Sequence, residues 1–320
     1  MPEAGLVADI GGTHARFALS RAPGVLDRVR TLPLADHATI ESAVAAYLGG
    51  CGRPRVRRAV FGIANPVLGD QIRMTNASWS FSIEATRRAL GLDALTLIND
   101  FTALALSLPL LAPADLTPVG QGTPAPDAPL ALLGPGTGLG VSALIPGPDG
   151  QWTPLSGEGG HVDFAPRTDR ELALWHAARA RFGHVSMERL LSGPGLEFIY
   201  QALGDDAADP AGTLSAAEIS TRALDDRQPR CIEALDTFCA ILGTAAADLA
   251  LTLGARGGVY IGGGIIPRLG GYFSTSPFRQ RFEDKGRFSS YLAAIPVSVI
   301  TAGHAALLGA AACLDRMDAR

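Results

Sequence analysis

Cysteine is scarce in this 320-residue chain, which contains only four. They form no CxxC pair and show no spacing typical of a zinc site. We therefore expect buried, apolar thiols, with neither a structural zinc nor disulfides. A chain of this length buries roughly three quarters of the surface that its unfolded form exposes, so its core needs no covalent cross-links. The four residues are Cys51, Cys231, Cys239 and Cys313.

Charge of either sign is also sparse. Charged residues make up 18% of the chain, and 27 basic residues against 31 acidic ones give a net charge of −4. A mildly acidic chain lacks the counterion release that drives general binding to nucleic acids or to anionic membranes. We expect no nucleic-acid partner, and any phosphate group that the protein binds must be held locally.

Long apolar runs and a basic leader are lacking as well. The longest apolar stretch, residues 101–112, is interrupted by Ser107 and Pro109 and is too short to span a bilayer. Residues 1–12 do not match a signal peptide. We expect no membrane partner and predict a cytoplasmic location.

Glycine, by contrast, is abundant and clusters after predicted strands. Apolar runs resume at 15–19 and 141–145 after the first two clusters, which suggests two related halves. Predicted strands alternate with predicted helices, which favours an α/β fold. The glycine clusters are Gly11 and Gly12 after the strand at 6–8, residues 134–140 after 130–133, and residues 262–264 after 259–261. The predicted helices cover 83–90, 170–182, 232–253 and 305–314.

Glycine at a strand end lets backbone N–H groups approach a phosphate without an intervening Cβ. A tight turn could account for each cluster alone, but three together indicate a nucleotide site. A P-loop is excluded because residues 134–140 include no lysine. Residues 138–143 fit a GxGxxA dinucleotide pattern, but a strand is predicted after them where a Rossmann fold requires a helix.

Polar side chains follow two of these strands. Asp9 precedes the first glycine pair, where its carboxylate could hold Mg²⁺ or could cap its own turn. Asn99 and Asp100 follow a predicted strand at 95–98, and they either cap the next helix or face a cleft. The sequence leaves both alternatives open.

Two further segments carry acids. The loop at 157–163 sets Glu158, His161 and Asp163 among three glycines, so it either grips sugar hydroxyls or is a surface loop. Glu188 follows a possible Ser186 cap and lies at a predicted helix start, where a carboxylate also simply favours the helix dipole. Its position alone assigns Glu188 no role.

Seven motifs, in order along nearly the whole chain, resemble those of the bacterial glucokinase family. That family belongs to the hexokinase and actin-like superfamily. The resemblance implies a two-domain actin-like ATPase (ribonuclease H-like) fold of the α/β class, with an active-site cleft between the domains. The motifs are DIGGTHARFA at 9–18, MTNASW at 74–79, INDFTA at 98–103, GTGLG at 136–140, GEGGHVDFAP at 157–166, SGPG at 192–195 and FEDKGRF at 282–288.

Prolines cluster between residues 109 and 129, and we place the domain boundary there. The small α/β domain is predicted at 1–110, completed by a C-terminal helix at about 303–320. The large α/β domain is predicted at 111–302.

The resemblance implies that the protein uses ATP to phosphorylate D-glucose to glucose 6-phosphate, which feeds glycolysis. It assigns Asp100 as the general base, gives Asp9 a Mg²⁺ ion held through water, and suggests a homodimer. The residues that it assigns to glucose are Asn76, Asn99, Asp100, Glu158, His161 and Glu188. The residues that it assigns to the nucleotide are Ala8, Asp9, Ile10, Gly11, Gly12, Thr13, Gly136, Thr137, Gly138 and Gly263.

Some features depart from this family or from its relatives. His14 stands where the family usually has asparagine, and we assign it no role. A related family of sugar kinases and repressors carries a cysteine-rich zinc motif, whereas residues 162–230 contain no cysteine, so His161 is interpreted as a sugar ligand. With only eight residues before Asp9, we expect no DNA-binding domain there.

Three other functions are alternatives to this one. A kinase for another hexose or amino sugar, such as mannose or glucosamine, would use the same acids. A non-catalytic actin-like ATP-binding protein would keep the glycine turns but would not need the group of polar residues assigned to sugar. A nicotinamide oxidoreductase would need a helix after residue 140.

Overall fold

The computed structural model of the protein describes residues 4–74, 79–148, 150–204 and 214–318. The chain divides into two compact units. Unit 1 comprises Met1–Ala114, Pro154–Ser156 and Ala302–Arg320. Unit 2 comprises Asp115–Thr153 and Gly157–Thr301.

The strands of the described residues are numbered in chain order. They are β1 (Ala4–Ile10), β2 (His14–Ala22), β3 (Val25–Pro33), β4 (Val56–Ile63), β5 (Gln71–Arg73), β6 (Ser80–Ser82), β7 (Ala94–Asn99), β8 (Leu116–Pro118), β9 (Leu130–Pro135), β10 (Leu139–Pro146), β11 (Trp152–Gly157), β12 (Gly258–Ile261) and β13 (Val297–Ile300).

The α-helices of the described residues are numbered in the same way. They are α1 (Ile40–Gly50), α2 (Ile83–Ala89), α3 (Asp100–Ser107), α4 (Asp169–Phe182), α5 (Gly193–Ala202), α6 (Ala216–Leu224), α7 (Pro229–Leu253), α8 (Ile266–Leu269), α9 (Gly271–Thr275), α10 (Phe278–Glu283), α11 (Ser289–Ala293) and α12 (Ala305–Asp318). The four predicted helices are confirmed as α2, α4, α7 and α12.

Unit 1 is built on a five-stranded sheet in the order β3-β2-β1-β4-β7. β1 pairs antiparallel with β2 and parallel with β4. Because side chains alternate across a strand, the two faces of β1 enter different clusters. Leu6 packs in the cluster that contains Tyr47 of α1, whereas Val7 packs in the cluster that contains Leu307 and Ala311 of α12. The central strand of unit 1 is therefore buried on both faces.

Helices α3 and α12 of unit 1 approach each other at the level of their backbones. A Cβ built on Gly309 of α12 would overlap the carbonyl oxygen of Ala103 in α3 and would lie 2.7 Å from its carbonyl carbon. On the sheet side, a Cβ on Gly62 of β4 would lie 3.3 Å from the Ala103 side chain and 3.7 Å from Cα of Asp100. Two glycines thus fix α3, and with it Asp100, between α12 and the sheet.

The Gly309→Ala substitution is expected to destabilise unit 1 by about 1–3 kcal/mol, since overpacking against a backbone forces the helix to shift. Gly303→Ala is the matched control, because its Cβ would have no atom within 4 Å. Urea unfolding of both variants measures the difference. Equal stability of the two variants would show that the contact between α3 and α12 is not as close as described.

Unit 2 contains a six-stranded sheet in the order β11-β10-β9-β12-β13-β8. β9 pairs antiparallel with β10 and parallel with β12, and β12 pairs parallel with β13. The order of the first five strands repeats that of unit 1. In each sheet the strand before the glycine turn, β1 or β9, has an antiparallel neighbour on one side and a parallel neighbour on the other. A further parallel strand follows on the second side, β7 after β4 and β13 after β12. The prediction of two related halves is therefore confirmed.

The longest helix, α7, forms the centre of the unit 2 core. Its length and composition would allow it to cross a membrane, but 67% of its most apolar window is buried inside the protein. It ends at Gly254, which has a left-handed backbone conformation with φ 61°. Of the cysteines, Cys231 and Cys239 lie on this helix and are buried, as is Cys51, whereas Cys313 is partly buried. Burial raises the pKa of the Cys239 thiol to about 12.

The FEDKGRF motif at 282–288 lies beside a set of ion pairs that hold α10 against α4 and α7. Arg281 donates to Glu171 over 2.7 Å, and both side chains are largely buried. Arg167 pairs with Asp284 over 2.9 Å at a more exposed position. Lys285 pairs with Asp248 of α7. The motif therefore has a structural part in unit 2.

Candidate active site

The first glycine turn, in unit 1, connects β1 to β2. The N–H of Gly11 donates to the carbonyl of His14 over 3.0 Å, which closes the turn. Asp9 lies opposite Arg16 in the strand pair, and Arg16 Nη1 donates to Asp9 Oδ2 over 3.0 Å. The exposed Thr13 hydroxyl shares a hydrogen bond of 3.0 Å with Nδ1 of His14. His14 therefore contributes a contact inside the turn.

The Asp9 carboxylate is 18% exposed, whereas its partner Arg16 is 44% exposed. Burial raises the pKa of Asp9, and the charge and hydrogen bond of Arg16 together with the charge of His304 oppose that rise. The carboxylate is thus paired across the strands, at the end of β1 and next to the glycines.

One carboxylate at this position suits Mg²⁺ bound to a nucleotide. Mg²⁺ usually keeps several waters and is held by one or two carboxylates together with substrate phosphates. Among the described residues, no group of three or more His, Cys, Asp or Glu side chains could form an all-protein metal site.

Asn99 and Asp100 lie where β7 ends and α3 begins. Asn99 Oδ1 accepts the N–H groups of Phe101 and Thr102 over 2.9 and 3.2 Å, so Asn99 is the N-cap of α3. Asp100 is the first residue of the helix, is partly exposed, and its Oδ1 also accepts from Phe101 N–H over 2.9 Å. Of the two alternatives left open, capping thus accounts for Asn99.

The second glycine turn, in unit 2, connects β9 to β10 and leaves Thr137 exposed at its tip. The Gly136 N–H donates to the Gly138 carbonyl over 2.8 Å, and the Gly136 carbonyl accepts from Gly193 N–H over 2.8 Å. The strand predicted after residue 140 is confirmed, since β10 runs to Pro146. A Rossmann nucleotide site is therefore absent from this segment.

The third glycine cluster packs directly on the second turn. The N–H of Gly262 donates to the Leu133 carbonyl over 2.9 Å. Gly263 has φ 80°, and a Cβ there would overlap the carbonyl oxygen of Pro135. The structure thus brings Gly263 and residues 134–136 together, and glycine is required at this close approach.

Glu188 lies directly against the second glycine turn. Its Oε2 accepts the Leu139 N–H over 2.8 Å. The predicted helix start after Ser186 is wrong: residues Met187–Arg189 form a single 3₁₀ turn, and the Ser186 side chain makes no capping hydrogen bond. Helix α5 begins only at Gly193, and Ser192 caps it because its side chain accepts the Gly195 N–H over 3.1 Å. Pro194 fits the first turn of this helix.

Glu158 and His161 are exposed side chains on the loop that follows β11. The backbone between them packs on β10, since a Cβ on Gly160 would overlap the carbonyl oxygen of Leu139. Asp163 of the same loop instead pairs with His184, with 2.7 Å between Oδ1 and Nε2. Glycine packing therefore holds the backbone and leaves Glu158 and His161 exposed.

A pocket of about 190 Å³ in unit 2 contains two of the predicted site residues, Thr137 and Glu188. Ser192, the first residue of the SGPG motif, also lines it, as do Arg181 and Arg189, which were not predicted as site residues. The Arg189 guanidinium lies 4.6 Å from the centre of the Phe182 ring, a cation–π contact that holds it in place. Asn76, predicted to bind glucose, lies outside the described residues.

Arg16 was not predicted as a site residue either. Its contact with Asp9 could have been predicted, because a glycine turn between two strands places the residues of one strand opposite those of the other. No comparable signal exists for Arg181 and Arg189.

Comparison with known proteins identifies relatives along nearly the whole chain. A family model described as Glucokinase matches residues 6–317. The glucokinase of Chromobacterium violaceum is 60% identical over 317 residues, which cover 98% of this chain and 90% of that protein. The glucokinase of Neisseria meningitidis is 54% identical over 310 residues, covering 97% and 94%.

A solved structure agrees with the fold. The crystal structure of a glucokinase from an Antarctic psychrotroph has a TM-score of 0.88 and 37% identity, covering 99% of this chain and 100% of that one. The expected two-domain actin-like ATPase fold is thereby confirmed. With a relative at 60% identity and a family match that runs from residue 6 to residue 317, the chain belongs to the glucokinase family.

Proposed function

We propose that the chain transfers the γ-phosphoryl group of ATP to the 6-hydroxyl of D-glucose with Asp100 as the general base. The observation that supports this base is the position of Asp100 directly after β7, where its carboxylate is partly exposed. Asn99 is the N-cap of α3, since its Oδ1 accepts the N–H groups of Phe101 and Thr102. Asp100 Oδ1 also accepts the Phe101 N–H, which holds the carboxylate at the start of the helix.

Phosphoryl transfer has a loose transition state, so the protein contributes mainly by positioning the reactants and stabilising charge. Asp100 would orient the 6-hydroxyl and accept its proton as the oxygen–phosphorus bond forms. An aspartate is a weak base toward an alcohol, so the proton moves late in the reaction.

The two glycine turns are proposed to hold the phosphates of ATP. In unit 1 the side chains of Ala8 and Ile10 are buried in β1, so the backbone of Ala8–Thr13 would hold the phosphates, at the turn of residues 11–13. In unit 2 the Thr137 hydroxyl and the Gly138 amide would face the phosphates. The Gly136 N–H closes its own turn by donating to the Gly138 carbonyl. We therefore propose that Gly136 shapes the turn and lets a phosphate approach its backbone closely, without donating a hydrogen bond to it. Gly263, which packs on Pro135, would lie near the adenosine.

Mg²⁺ is proposed to accompany ATP and to be held by Asp9 through water. When bound, the ion would neutralise charge on the β- and γ-phosphates. Arg16 already engages Oδ2 of Asp9, so the carboxylate must serve the guanidinium and a metal-bound water together. Arg16 would therefore orient Asp9.

The sugar is proposed to be held by Asn76, Asn99, Glu158, His161 and Glu188 in addition to Asp100. Carboxylate, amide and imidazole groups can each accept or donate hydrogen bonds to ring hydroxyls. A sugar with a missing or inverted hydroxyl would leave one of these groups without its partner, which weakens binding of that sugar.

We further propose that the enzyme is a cytoplasmic homodimer, as the family resemblance implies. One chain has a mass of 33.2 kDa. Sedimentation at working concentration would therefore give twice that mass, and a monomer would contradict the proposal.

An assay that couples ADP release to a spectroscopic signal tests the function. Glucose, mannose and glucosamine are compared with ATP, with and without added Mg²⁺. The highest kcat/KM is expected for glucose, and turnover is expected to require Mg²⁺. A clearly higher kcat/KM for mannose or glucosamine would overturn the substrate assignment, and full turnover in the presence of a chelator would overturn the role of Mg²⁺.

A further inference from the structure

The Glu188 carboxylate lies against Gly138 of the second glycine turn. Its Oε2 accepts the N–H of Leu139, and a Cβ built on Gly138 would overlap that same oxygen and lie 3.1 Å from Cδ of Glu188. Gly138 does not have a positive φ, so its backbone conformation is open to any L-residue. The feature that restricts position 138 is therefore the Glu188 side chain.

The loop that carries Glu158 and His161 packs against Leu139, the residue that follows Gly138. A Cβ on Gly160 would overlap the Leu139 carbonyl oxygen and would lie 3.1 Å from the Leu139 Cβ. Leu139 itself is buried, with 6% of its surface exposed. Its N–H group thus meets Glu188, and its carbonyl group lies against the backbone between Glu158 and His161.

The two segments are also joined to each other. The N–H of Met187, next to Glu188, donates to the carbonyl of Val162, next to His161, over 2.9 Å. Asp163 and Ser186 form an isolated antiparallel bridge. The three predicted sugar ligands of unit 2 therefore share one backbone support, and residues 138 and 139 lie at its base.

From these contacts we infer that Gly138, in a turn assigned to ATP phosphates, is a positioning residue for glucose, because it leaves the space in which the Glu188 carboxylate is held. The inference rests on the proposed role of Glu188 as a sugar ligand. A methyl group at position 138 displaces the far end of a flexible side chain and not a backbone segment, so the fold is retained and the carboxylate moves.

The test compares Gly138→Ala with Gly271→Ala, at the start of α9 in unit 2. Both variants add one methyl group to unit 2, but a Cβ on Gly271 would have no atom within 4 Å. Glucose binding is measured by calorimetric titration without nucleotide, so that contacts to ATP have no influence. Gly138→Ala is expected to raise the Kd for glucose at least about tenfold, the effect of one lost charge-assisted hydrogen bond. Gly271→Ala is expected to stay within about twofold of the unmodified protein, since a substitution at an exposed position without close contacts changes little.

A double-mutant cycle with Glu188→Ala separates the possible outcomes. Gly138→Ala is expected to change nothing further in the Glu188→Ala background, since the displaced group is gone. If the single variant does not fold, removal of Glu188 is expected to restore folding, and a double variant that also fails to fold overturns the inference. Unchanged glucose affinity in Gly138→Ala, or an equal loss in Gly271→Ala, overturns it as well. If Glu188→Ala itself binds glucose normally, the proposed role of Glu188 fails, and the inference fails with it.

Discussion

Replacing Asp100 with asparagine lowers turnover by about two to four orders of magnitude, the usual effect of removing a general base. Asparagine has nearly the same shape and still accepts the Phe101 N–H, so the start of α3 is preserved. Glucose affinity is expected to change little, because the amide retains a hydrogen-bonding oxygen. The variant therefore separates proton acceptance from binding.

The measurement is kcat from the coupled assay together with a calorimetric Kd for glucose. Asp93→Asn is the matched control, since Asp93 is an exposed carboxylate just before β7 that pairs with Arg57. Its turnover is expected to remain normal. Turnover of Asp100→Asn within a few fold of the control would reject Asp100 as the base.

Replacing Glu171 with alanine destabilises unit 2 by about 3–5 kcal/mol, because it leaves the charge of Arg281 without its partner in the interior. Glu171 is 3% exposed and Arg281 15% exposed, and 2.7 Å separates Oε1 from Nη2. The second carboxylate oxygen accepts the Arg167 N–H over 2.8 Å. The substitution therefore removes two charge-assisted hydrogen bonds and opens a cavity at the start of α4.

Asp284→Ala is the comparison variant, because Asp284 also pairs with an arginine of this region but is 62% exposed. Exposed ion pairs contribute about 0–1 kcal/mol, so this variant is expected to unfold at nearly the original urea concentration. Similar midpoints for the two variants would contradict the structural importance assigned to the buried pair.

Local patterns in the sequence were sufficient for the framework of the fold. Each predicted glycine turn lies at a strand end, and α7 ends at Gly254 as glycine after a helical pattern indicates. The repeat of a strand, a glycine turn and a second strand predicted two related halves, and both sheets show the corresponding strand order. These features depend on residues that are close in the chain.

Contacts between distant residues could not be predicted in the same way. The Leu139 N–H and the Glu188 carboxylate are 49 positions apart, and no periodicity links them. Ser186 was predicted as a possible helix cap, whereas the serine that caps a helix in this region is Ser192. Pro194 was the signal for Ser192, since proline fits the first turn of a helix.

The sequence does not distinguish the possible roles of Asn99, because a capping amide and a sugar-binding amide have the same sequence pattern. Glu158 and His161 are exposed on a loop held by glycine packing, which is compatible with ligand binding.

A crystal structure of the protein with glucose and a non-hydrolysable ATP analogue tests the account most directly. It is predicted to place a carboxylate oxygen of Asp100 at hydrogen-bonding distance, about 2.6–3.2 Å, from O6 of glucose. A bound glucose whose O6 is hydrogen-bonded to other groups, with the Asp100 carboxylate out of reach, would contradict it.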